Sequence, residues 1–145
     1  MPNRLKILLV LLVGIFLAAG CSQTSAHTQL LPGLEYPDGR PVALKNNPAA
    51  VNVTYQELVT FLDSYQWQPG ACLKVAVDLH DAAEAYGIRA GIVIMIFVAG
   101  SHTLNIFVTA DRGMVYVDLF YKVPLTNWAD MGIKYGPTAQ YYEFW

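Results

Sequence analysis

Cys72, His102 and Asp118 are the residues of this chain whose types and order could carry covalent chemistry. Cys72 stands in "GACLKVAVDLHDAAEAYG", where a helical pattern begins. A thiol there lies beside N–H groups that lack intrahelical partners, at the positive end of the helix dipole. Both favour the thiolate, which is the nucleophile. His102 follows 30 residues later, at the start of the strand-like run "SHTLNIFVTA". Asp118 lies 16 residues further on, within "MVYVDLFYKV". An imidazole can take a thiol proton and later give it to a leaving amine. A carboxylate behind the imidazole fixes its tautomer and stabilises the imidazolium. Each residue also has a structural reading. Cys72 could be a small core residue, His102 a hydrogen-bonding group at a hairpin edge, and Asp118 a turn cap or a partner of Lys122. The order of all three on helix, strand and strand favours the chemical reading.

The elements that must position them are legible from pattern. In "NVTYQELVTFLDSYQW", Thr54 and Glu57 have capping-box spacing. Leu58, Phe61, Leu62 and Tyr65 then recur at helical intervals, predicting a helix from about Tyr55 to Tyr65. A connection with Pro69-Gly70 follows. The spacing predicts a second helix from Cys72 to Tyr86, with Gly87 suited to its C-terminal turn. Its buried face would hold Cys72, Val75, Ala76, Leu79, Ala82, Ala83 and Tyr86. His80 and Glu84 are expected as solvated flank residues. "IRAGIVIMIFVA" is nearly continuous in apolar residues and reads as a central strand. The runs on either side of "DRG" form a hairpin with Gly113 in the left-handed region. Pairing Ala110 with Met114 would set Asp118 opposite Ile106, four residues from His102 along the ladder. A bulge, twist or different register must then close that gap. Asn105 is a possible support residue, but alternation puts it on the face opposite His102. The aromatic tail "PLTNWADMGIKYGPTAQYYEFW" is expected to pack its rings on the sheet.

"GACLKVAVDLHDAAEAYGIRAGIVIMIF…SHTLNIFVTADRGMVYVD" resembles the core of the transglutaminase-like superfamily. The likeness covers roughly residues 55–120. That family has a Cys opening a helix, a "GI-x-A" turn into a strand, a His about thirty residues on, and an Asp in a "-V-x-D" ending. Two positions depart from the pattern: Leu119 follows the aspartate where proline is common, and Thr103 follows the histidine where alanine is common. The resemblance implies an α+β, papain/transglutaminase-like fold, with a catalytic helix packed on a small antiparallel sheet. It implies Cys72 as nucleophile, His102 as general base and acid, and Asp118 as the orienting group. Gln66 and Trp67 are the oxyanion candidates: papain-like proteases place a glutamine six residues before the cysteine, and transglutaminase-type sites use a tryptophan.

The N-terminus adds an address. Arg4 and Lys6 precede a 14-residue apolar run from Ile7 to Gly20, too short for a ~20-residue membrane span and suited to a signal peptide. "LAAGC" resembles a bacterial lipobox, with Ala18 where leucine is preferred, and implies lipidation of Cys21. The expected organisation is a signal peptide over 1–20, a lipidated tether and irregular lead-in over 21–50, and one domain over 51–145. His27 would sit solvated in the tether, which runs to about Leu30. The chain holds two cysteines, so lipidation of Cys21 leaves Cys72 without a disulfide partner. Net charge is −2 with 14% charged residues and no basic tract, which argues against a nucleic-acid partner. No cofactor is expected, and the histidines lack metal-ligand spacing. Two functional classes follow. The first is an enzyme anchored in the bacterial cell envelope that acts on peptide or carboxamide bonds through a thioester. The second is an inactive lipoprotein interaction module on the same scaffold. A redox thiol is disfavoured, since no resolving cysteine is present.

Overall fold

The chain opens its folded body with a hairpin rather than a tether. The computed structural model describes residues 26–97, 100–119, 123–126 and 140–145. Strand β1 (His27–Glu35) pairs antiparallel with β2 (Pro41–Asn46), from His27↔Asn46 to Leu30↔Ala43. Pro37-Asp38-Gly39 makes the turn, with Gly39 at φ 80° and its N–H bonded to Tyr36 O at 2.9 Å. The expected tether to Leu30 and irregular lead-in are therefore corrected. The β2 run buries only Val42 and Leu44 in alternation, too short a period to stand out among turn-forming residues.

Helix α1 (Tyr55–Ser64) begins with the predicted capping box, Thr54 accepting from the Glu57 N–H and Glu57 accepting from the Thr54 N–H. Helix α2 (Cys72–Tyr86) ends at Gly87, whose φ of 95° lets its N–H reach back to Ala83 O and Glu84 O. Five antiparallel strands follow in the order β6-β5-β4-β3-β7: β3 (Gly91–Phe97), β4 (Gly100–Thr109), β5 (Gly113–Asp118), β6 (Val123–Thr126) and β7 (Gln140–Phe144). The described fold is thus α+β, with two helices and two antiparallel sheets.

Helix α2 lies between the two sheets. Leu79 and Ala83 meet Leu58, Phe61, Phe107 and Val117 in one core cluster, while Ala76 and Val77 meet Leu31, Val42, Leu44 and Ile92 in another. Val93, Met95, Leu104, Ile106 and Tyr116 form a third cluster. Two expectations for α2 are corrected. His80 and Glu84, expected to be solvated, are 0% and 3% exposed. Glu84 accepts from Asn47 N and Ala90 N, each at 2.8 Å, and so joins both chain segments beside the helix. His80 Nδ1 lies 3.1 Å from Asp81 Oδ1. Tyr86, placed on the buried face by periodicity, is 71% exposed instead, because the helix ends there.

The tail is also corrected over its last residues. Gln140–Phe144 adds an edge strand to β3, with Ile92↔Phe144 and Ile96↔Gln140. The expectation for residues 127–139 lies outside the described residues.

Candidate active site

Position 72 is the first residue of α2, and the start of this helix differs from that of α1. Ala71 provides no side-chain cap, and the first turn holds no acidic residue. The N–H groups there lack the side-chain acceptors that serve α1, which leaves them available to an anion.

The β4–β5 hairpin supplies the other two residues. Its register runs Thr109↔Gly113, Val108↔Met114 and on to Asn105↔Val117. Met114 therefore faces Val108, not Ala110. The shift halves the expected four-residue offset between His102 and Asp118, leaving a diagonal pair on one face. Gly113 at φ 71° allows the tight loop. The loop is docked on the start of α1: Asp111 Oδ1 accepts from Tyr55 N at 2.7 Å, and Ala110 N donates to Val53 O at 2.9 Å. The Arg112 guanidinium also stacks 3.8 Å from the Tyr55 ring centre. As a result His102 Nε2 donates to Asp118 Oδ2 at 3.0 Å, with the residues 7% and 2% exposed.

Beyond Asn105↔Val117, β4 continues to Gly100 without a β5 partner in that ladder. The Cys72 thiol is half-buried near this part of β4. The His102 side chain and the Thr103 and Leu73 backbone N–H groups lie near enough to act on its ionisation.

The electrostatics follow from these contacts. The hydrogen bond with His102 lowers the Cys72 pKa; burial opposes this, and the Thr103 N–H reinforces it. The net shift is downward from the ordinary 9.0. Burial alone would lower the His102 pKa, but the hydrogen bonds with Asp118 and Cys72 outweigh it and push it up from 6.5 to about 9. Both shifts favour the thiolate–imidazolium form of the pair over the neutral form.

Gln66 is exposed and Trp67 half-buried, both in the connection before α2. Neither is among the groups acting on the thiol. The Thr103 N–H was missed in the sequence, because a backbone donor leaves no mark in residue type. Among the described residues, no group of three His, Cys, Asp or Glu side chains could hold a metal ion. No described helix is long and apolar enough to cross a membrane. Cys21 lies outside the described residues. No protein-family model, curated protein or solved structure matches the chain.

Proposed function

We propose that the protein is a cysteine-nucleophile enzyme acting on peptide or carboxamide bonds through a thioester, on a papain/transglutaminase-like scaffold. One observation carries the reading. The thiol at the uncapped start of α2 lies beside an imidazole whose Nε2 donates to a buried carboxylate at 3.0 Å.

The steps balance within these groups. The Cys72 thiolate attacks the substrate carbonyl carbon, and the carbonyl oxygen takes the developing charge. The C–N bond then breaks, and the leaving amine takes the imidazolium proton from His102. Water, or an acceptor amine, gives a proton back to His102 as it attacks the thioester. The C–S bond breaks and the thiolate–imidazolium pair returns. The Cys72 N–H is a candidate oxyanion donor, with Gln66 or Trp67 as the second.

The proposal includes place. Acylation of Cys21 would hold the enzyme on a bacterial envelope membrane, facing peptide or protein substrates outside the cytoplasm. Only residues 22–26 separate Cys21 from β1, a reach of at most about 22 Å. The chain enters the fold beside Lys45, whose N–H bonds Asp81 Oδ1. Asp81 lies nine residues along α2 from Cys72, about 13 Å on the helix axis. The point where β1 begins and the nucleophile are thus at different levels of the helix.

The test is acyl transfer to Cys72. After brief exposure to p-nitrophenyl acetate, intact-mass measurement of the Cys21→Ser chain should find an acetyl adduct on Cys72. The adduct should be lost in Cys72→Ser and should decay with time or added amine. An adduct that forms no faster than on a free thiol, and equally in His102→Ala, would favour the interaction-module reading.

A further inference from the structure

We infer that Asn105 is a positioning residue for the Cys72–His102 pair, tying α2 to β4 one helical turn behind the nucleophile. The inference rests on the thiolate–imidazolium reading above and adds a device that holds it.

Asn105 is 2% exposed, and its Nδ2 donates to Ala76 O on α2 at 2.8 Å. The same amide nitrogen lies 3.5 Å from Gly91 O on β3. Ala76 is four residues after Cys72, so it lies on the same side of the helix, about 6 Å along the axis. Asn105 is three residues after His102, about 10 Å along the strand. Alternation that turns Asn105 away from the His102 side is what lets its amide reach the helix.

The apolar contacts around Ala76 cannot do this work alone. Around Ala76, α2 meets the apolar residues Leu31, Leu44 and Ile92. Apolar contacts are non-directional and tolerate a small slide of helix over strand. A buried hydrogen bond is directional, and leaving its donor or acceptor unmet is costly. A slide of α2 along β4 would stretch the Asn105 bond and carry the Cys72 thiol away from His102 and the Thr103 N–H together. Asn105 therefore acts through geometry rather than by touching the thiol.

The experiment measures the pH midpoint of iodoacetamide alkylation in the full chain carrying Cys21→Ser, which leaves Cys72 as its one thiol. Asn105→Leu keeps the volume and removes the donor. It should move the midpoint up by about one pH unit or more, toward the ~8.5 of a free thiol. Leu58→Ala, in the core contributed by α1, is the control for destabilisation alone and should leave the midpoint unchanged. If Asn105→Leu does not fold, Asn105→Ser, too short to reach Ala76 O, carries the same expectation. A low midpoint in the parent chain that stays low in the Asn105 variants overturns the positioning role and leaves the thiolate–imidazolium reading standing. A parent midpoint near that of a free thiol, unchanged in His102→Ala, overturns both. An equal shift in Leu58→Ala also overturns the positioning role, since loosening of the fold would then suffice.

Discussion

The His102 imidazole connects the thiol to the carboxylate, and its charge sets the pH behaviour of the site. Its pKa is raised from 6.5 to about 9 on folding. The folded state therefore binds this proton more tightly than the unfolded chain does. The resulting stability is complete below pH ~6.5 and is lost as pH rises through about 9. Chemical denaturation of the Cys21→Ser chain should show this fall, and His102→Ala should flatten it. Asp118→Asn keeps the shape and removes the charge. The His102 pKa should then drop, and acyl transfer should fall by roughly 10²–10⁴-fold; unchanged rates in Asp118→Asn would remove Asp118 from the mechanism. At this scale residue type was informative, since thiol, imidazole and carboxylate each name a chemical role. The Thr103 N–H was not visible, because every residue but proline carries one.

The elements deliver these side chains through register. Helix α2 was legible to the residue, because apolar periodicity and Gly87 mark its body and end. Strands β3 to β5 were legible as runs of Ile, Val and Phe, but their pairing was not. A shift of two in the hairpin keeps every side chain on its face, so alternation cannot distinguish the two registers. Docking of Asp111 and Ala110 on the start of α1 selects one. Strand β7 was hidden by its polar and aromatic composition. Its seat explains Gly91: a Cβ there would stand 2.7 Å from Phe144 O and 2.8 Å from Ile106 Cγ2. Gly91→Ala should therefore cost about 1–3 kcal/mol and weaken protection of the β3 and β7 amides in hydrogen exchange. Stability and protection equal to the parent would contradict this seat.

For the whole molecule, composition and the opening residues suggested an exported chain, while the described fold extends further toward the N-terminus than pattern implied. The β1–β2 hairpin buries Leu31, Val42 and Leu44 on α2. That contact covers a second face of α2 and brings the folded body to within six residues of Cys21. Sequence pattern could not find this layer, because a second face on a helix is defined only by the partner that covers it. Grown with labelled palmitate, a bacterial host should label the wild-type chain and not Cys21→Ser. The membrane-bound wild-type chain should also keep the Cys72 alkylation rate of the soluble variant. Equal labelling of both, or none, would remove lipid anchoring from the account.

The most direct test is the ultraviolet absorbance of the Cys72 thiolate against pH, read as the Cys21→Ser chain minus the same chain with Cys72→Ala. The account predicts thiolate forming at lower pH than in a free thiol, in a step that moves toward ~8.5 in His102→Ala. A single step near ~8.5 in both proteins would contradict it, leaving Cys72 an ordinary thiol at the end of a helix.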